Sequence, residues 1–185
     1  MPAPVSNSSP LIWLAKIGKL NLLRDLFGIV LISEESYKET VEVDLQEGYS
    51  DALVIKDACD QGWLKVERLD EKHVALCQKI MRHSFELHEG EVQAIVLAHE
   101  IGKDALLLMD DSSGRAFAET WGLKVKGVLY IIITAMRYDL LDKTEAKEAV
   151  LNLVGKGFRI EPKLMAKIIQ AIEKENMRLT YLQGL

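Results

Sequence analysis

The segment Ala105 to Arg115, A-L-L-L-M-D-D-S-S-G-R, passes from core to chemistry within one residue. Five apolar residues, Ala105 to Met109, are too few for a helix and show no alternation. They predict a strand buried on both faces, at the centre of a parallel sheet. Asp110 and Asp111 follow at once, then small residues with Gly114 and Arg115, and then an amphipathic helical pattern over Ala116 to Trp121. Ligands of open α/β sheets bind outside the carboxyl ends of the strands, which is where this acidic pair falls. The plain alternative is that one aspartate caps the next helix and the other is solvated.

The rest of the chain repeats the order strand, helix, strand. Pro2 to Ser6 predicts a first strand, followed by Ser9-Pro10 as a cap and first helical residue, and by a helix that Gly18 ends. Asn21 to Phe27 predicts a short helix, Ile29 to Ile32 a second strand, and Ser33 the cap of a helix carrying Tyr37, Glu39 and Val43. Ser50 opens a helix to Gly62, and Leu64 to Leu69 alternates like an edge strand with one wet face. A helix over Glu71 to His83 and a loop with Phe85 and His88 come next. Gly90 then breaks the way into an apolar helix that stops at Gly102. Beyond the acidic pair, Leu123 to Val125 predicts a strand and Val128 to Tyr138 a helix. Lys143 to Val154 and Pro162 to Glu175 are two further helical patterns. The expected architecture is a three-layer α/β/α domain over residues 1–140, with a central parallel sheet of four or five strands, plus a C-terminal helical extension over 141–185.

Composition excludes several classes. A chain of 185 residues, 49% hydrophobic and 28% charged, suits one well-buried domain. It has no run near the roughly 18 apolar residues of a membrane helix. Without an export signal at the N-terminus the expected location is the cytoplasm. Cys59 and Cys77 have neither the number nor the spacing of a zinc site and read as small core residues. The net charge of −5 argues against broad adhesion to nucleic acid, but not against a local site where a divalent ion reverses the sign.

Five residues with oxygen donors fall after apolar strands or in the first turns of helices beside them: Asn7, Glu39, Glu91, Asp110 and Asp111. Small or apolar residues flank them, and an oxygen-only set suits a hard cation such as Mg²⁺ or Mn²⁺. Each also has a plainer reading. Asn7 can form an Asx turn, Glu91 can sit at a helix dipole, and Glu39 can be solvated like Glu34, Glu35 and Glu42. His83 and His88 read as surface or loop residues, and Trp13, Trp63 and Trp121 as core or interface. Arg115 can pair with Asp111 or contact phosphate.

Taken in order, Ser6-Asn7-Ser8-Ser9-Pro10-Leu11-Ile12, Glu39, Gly90-Glu91-Val92-Gln93-Ala94-Ile95, and Asp110-Asp111 with Arg115 resemble the motifs of PIN domains over roughly Val5 to Val128. Gly157-Phe158-Arg159 is similar to a prokaryotic subfamily of predicted nucleic-acid-binding proteins. The resemblance implies a metal-dependent nuclease of single-stranded RNA, in many relatives a toxin with an antitoxin partner. Glu39, Glu91 and Asp110 or Asp111 would then be the catalytic carboxylates around the ion, with Asn7 as a further ligand. Ser9 and Arg115 would bind substrate. Asn7 stands where the family usually has Asp, so it offers a carbonyl oxygen without charge and weakens the site. A PIN-like module that binds without cleaving is the alternative. A receiver domain is set aside because its acidic pair normally follows the first strand. The apolar residues of the C-terminal helices, Leu151, Leu153, Val154, Leu164, Met165, Ile168, Ile169 and Ile172, predict packing on the domain or on a second copy, as a homodimer.

Overall fold

Five short segments form five parallel strands: β1 (Val5–Ser6), β2 (Val30–Ser33), β3 (Leu64–Glu67), β4 (Leu106–Leu108) and β5 (Lys124–Lys126). They lie side by side in the order β3-β2-β1-β4-β5 in a computed structural model that describes residues 2–43, 50–84 and 86–174. Phe85 and Glu175, assigned above to a loop and a helix end, lie outside the described residues. Val5 stands opposite both Leu31 and Leu107, so β1 rather than β4 is the middle strand. The expectation for Ala105 to Met109 is corrected in this respect: β4 is interior, between β1 and β5. Its long apolar run made it look central, whereas β1 owes its place to pairings on both sides that two residues suffice to make.

Parallel neighbours need crossovers, and the helices that supply them cover both faces of the sheet. Strand residues alternate between the two cores. Val30, Ile32 and Leu108 face one, while Val5 and Leu107 face the other, with Leu31 packed against it. On the first face lie α1 (Ser8–Lys16), α2 (Leu22–Phe27), α4 (Ser50–Asp60), α8 (Val128–Arg137), α9 (Lys143–Gly155) and α10 (Pro162–Glu173). On the second lie α5 (Glu71–His83), α6 (Glu89–Ile101) and α7 (Ser112–Thr120). Helix α8 is apolar almost all round because Ala146, Val150, Leu153, Ile168 and Ile172 of α9 and α10 join the core around it. No described helix is long and apolar enough to cross a membrane.

Three local expectations change. Helix α1 starts at Ser8 with Asn7 in the cap position, so Pro10 is its third residue rather than its first. Its missing N–H costs nothing there, because the first four N–H groups have no intrahelical partner. The helix capped by Ser33, whose Oγ accepts the Ser36 N–H at 3.1 Å, is α for only Glu34–Tyr37, our α3. It widens into a π-helical turn, Lys38–Val43, a rare geometry that re-aims the side chains it carries, Glu39 among them. Gly90 does not break into α6 but lies inside its first turn. Edge strand β3 is as expected, although Val66 as well as Lys65 and Glu67 is exposed.

Candidate carboxylate cleft

The carboxyl ends of β1, β2 and β4 and the first turn of α6 bring four of the candidate residues to one side of the sheet. Asn7 follows β1 directly and is 2% exposed, with its N–H bonded to Leu108 O at 3.1 Å. Its side-chain Oδ1 is buried and accepts no hydrogen bond. Such an acceptor is costly unless a donor or a cation meets it.

Glu39 reaches inward from the π-helical turn. Ser8 Oγ donates to its Oε2 at 2.5 Å, so the hydroxyl that touches the cluster belongs to Ser8 rather than to Ser9, which occupies the next position of α1. The carboxylate also explains Gly90. A Cβ there would stand 2.6 Å from Glu39 Oε2 and 2.7 Å from Oε1, so only glycine lets the side chain lie against α6. One residue on, Glu91 is 7% exposed, and its Oε2 accepts the His88 N–H at 3.0 Å across the first turn. Burial pushes the Glu91 carboxyl up, and the charges of Asp111 and Glu39 push it further, against the pull of the His88 N–H.

The adjacent aspartates part company. Asp111 caps α7, with Oδ1 accepting the Gly114 N–H at 2.9 Å, and a Cβ on that glycine would lie 3.5 Å from Glu91 Cδ. Asp111 therefore belongs on the Glu91 side. Asp110 turns toward the far edge of the sheet. Its Oδ1 accepts the Val128 N–H at 2.9 Å and abuts the position a Cβ on Gly127 would take, and Oδ2 is buried without a partner. Burial raises this carboxyl to about 6 despite the Val128 N–H and nearby Arg115. Arg115 Nη1 also donates to Met109 O at 3.3 Å.

Glu39, Glu91 and Asp111 thus spend one oxygen each on a fixed donor, while Glu39 Oε1, Glu91 Oε1 and Asp111 Oδ2 accept no hydrogen bond from the described residues. With the bare Asn7 Oδ1 they form an all-oxygen set of the kind that hard divalent ions select, so the residues present fit such an ion. Glu39, Glu91 and Asp111 do not bring one oxygen each within 4.8 Å of one another. Among the described residues, the one group of His, Cys, Asp and Glu with all ligand atoms within 4.8 Å of one another is elsewhere: Asp70, His73 and Glu100. This group bridges α5 and α6. Asp70 caps α5, its Oδ1 2.8 Å from the His73 N–H it accepts and 2.7 Å from His73 Nδ1, and Glu100 Oε2 is 3.6 Å from the same nitrogen. Asp70 and His73 stand at an ordinary capping distance in the sequence, and no local signal joins Glu100 to them.

The remaining candidates are structural. His88 caps α6, Trp63 is buried, Trp13 packs edge-on against Phe158, and Trp121 packs on Phe117 and His99. Cys77 is buried and Cys59 half-buried, and burial pushes both thiols up to about 11, far from a reactive thiolate.

A family model, DUF3368, described as a PIN domain, matches residues 3–174. No match to the chain was found among curated protein sequences or solved structures.

Proposed function

The chain belongs to the PIN-domain family, and on that premise we propose that it is a Mg²⁺- or Mn²⁺-dependent endoribonuclease acting on single-stranded RNA. The observation that carries the reading is Asn7 Oδ1, a buried acceptor with no donor, one residue before the Ser8 that holds Glu39, with Glu39, Glu91 and Asp111 each keeping one oxygen unbonded. A divalent ion bound among them would supply a nucleophilic water at neutral pH and neutralise phosphodiester charge.

The chain's own residues do the positioning. Ser8 holds Glu39, the His88 N–H holds Glu91, and the Gly114 N–H holds Asp111, so three carboxylates from three elements are oriented before any ligand arrives. Such preorganisation is what lets charged groups act without reorganising during the reaction. In this reading Asp111 takes the ligand role and Asp110 a supporting one, because Asp111 is the aspartate whose charge reaches Glu91. Ser9, next to Ser8 in α1, and Arg115, beside Asp110, are assigned to substrate binding on the family resemblance alone.

Asn7 favours a second reading, a module that binds RNA or protein without turnover, since a neutral ligand leaves one charge fewer to hold the ion. The toxin role and antitoxin partner rest on the family resemblance alone. The homodimer rests on α9, where Leu151 and Val154 are 49% and 44% exposed on a helix whose other face is core.

The test is the cleavage rate of a labelled RNA across a Mn²⁺ titration. Wild type is expected to cleave only with metal, Asn7→Asp to cleave faster at lower metal, and Glu91→Gln to lose cleavage by about a hundredfold or more, in line with removal of one electrostatic group from a preorganised site. Failure of both wild type and Asn7→Asp on several RNAs at every metal concentration overturns the enzyme reading and leaves the binding module.

A further inference from the structure

The inner side of α3 and its cap carries hydroxyls where a helix against a core usually carries hydrocarbon. Ser33, Ser36 and Thr40 are each 0% exposed, while Tyr37 and Val41 beside them pack with the apolar cluster. The three hydroxyls form a chain. Ser33 Oγ accepts the Ser36 N–H at 3.1 Å and donates to Ser36 Oγ, also at 3.1 Å, and Thr40 Oγ1 donates to Ser36 O at 2.7 Å. The chain runs from the carboxyl end of β2, through α3, into the π-helical turn that carries Glu39.

A hydrogen-bonded pair buried in this way adds only a modest net stability, because apolar groups of the same shape can replace both partners at little cost. What it does impose is direction. Thr40 Oγ1 has no water to turn to, and the carbonyl it takes is four residues back, the one its own N–H would take in a continued α-helix. A side chain that bonds that carbonyl competes with the backbone ladder and bends the helix. Here the ladder widens over the same residues, since α3 ends at Tyr37 and the π turn begins at Lys38. Thr40 Oγ1 also stands 3.5 Å from Tyr37 O, so one hydroxyl faces two carbonyls at the junction.

A π turn closes on the fifth residue rather than the fourth, so its side chains fall behind those of a continued α-helix. From such a position the Glu39 carboxylate meets Ser8 Oγ and lies against Gly90. We propose that Thr40 is the positioning residue for Glu39: its buried hydroxyl, tied through Ser36 to the Ser33 cap, fixes the π-helical register that aims the carboxylate at Ser8 and Gly90. The aim of the side chain stands without a metal, whereas its consequence for metal binding rests on the nuclease reading.

The test compares Thr40→Val, which keeps the shape and removes the hydroxyl, with Thr40→Ser, which keeps the hydroxyl. Crystal structures without metal are the first readout and Mn²⁺ affinity by calorimetry the second. In Thr40→Val the π turn should close into an α turn and Glu39 should leave Ser8 Oγ, while Thr40→Ser should keep both. Thr40→Val should bind Mn²⁺ about tenfold or more weakly than wild type, as loss of a group that orients a ligand does, and Thr40→Ser should stay within about twofold. Thr40→Ala, equally without the hydroxyl, should behave as Thr40→Val and carries the same comparison if that variant does not fold. A π turn still in place without the hydroxyl, with Glu39 on Ser8, overturns the proposal. So does a measurable Mn²⁺ affinity that is the same in wild type and Thr40→Val, an outcome that leaves the metal reading standing. If wild type binds no Mn²⁺ while Thr40→Val has lost the π turn, the metal reading falls and the positioning stands.

Discussion

Burial raises the Asp110 carboxyl to about 6 from an ordinary value of 3.8, and the sign of its effect on stability follows. Between these values the folded chain holds a proton that the unfolded chain has lost, so this group's contribution to stability falls as pH rises through the window. At pH 7 the ionised form costs on the order of 3 kcal/mol, two pKa units' worth, relative to pH 3. Asn at this position keeps an oxygen for the Val128 N–H and has no proton to lose. Asp110→Asn should therefore gain on wild type steadily from about pH 4 to about pH 7 in thermal melts with chelator present. A difference in melting temperature that does not change with pH would show that the residue is not held as described.

Between elements, the contact that shapes the cleft is the one between the π-helical turn and α6. Glu39 lies where a Cβ of Gly90 would be, so Gly90→Ala must push the carboxylate aside. The far end of a flexible side chain moves cheaply, and alanine favours a helix over glycine by about 1 kcal/mol. The fold should survive, with a melting temperature near wild type. What should be lost is the response to metal: titration of Mn²⁺ should raise the melting temperature of wild type and leave that of Gly90→Ala nearly flat, because ligand-linked stabilisation follows affinity.

For the whole molecule, α9 and α10 cover α8 and expose Leu151 and Val154 outward. If this face joins two copies, light scattering at micromolar concentration should give about twice the 20.8 kDa chain mass, and Leu151→Glu combined with Val154→Glu should give the single-chain mass. Neither residue belongs to the carboxylate set, so metal-dependent cleavage per chain should be unchanged in the variant. A wild-type monomer at that concentration would remove the dimer from the reading.

What the amino-acid sequence determined by itself is everything set by neighbours a few residues away. Apolar or alternating runs marked the five strands, Ser33 and one of the two aspartates were legible as caps, and Gly18 and Gly102 as helix ends. The PIN-type order of Asn7, Glu39, Glu91 and the aspartate pair could be read because each lies just after a strand or in the opening turns of a helix, a local feature. Tertiary structure decided what depends on distant partners. The middle place of β1 comes from pairing with both β2 and β4, which no property of Val5-Ser6 encodes. Gly90 looked like a breaker because the carboxylate that needs its bare Cα stands 51 positions earlier in the chain, at Glu39. Asp110 and Asp111 are chemically identical and adjacent, and only the donors that folding brings up, Val128 N–H for one and Gly114 N–H for the other, send them to opposite sides.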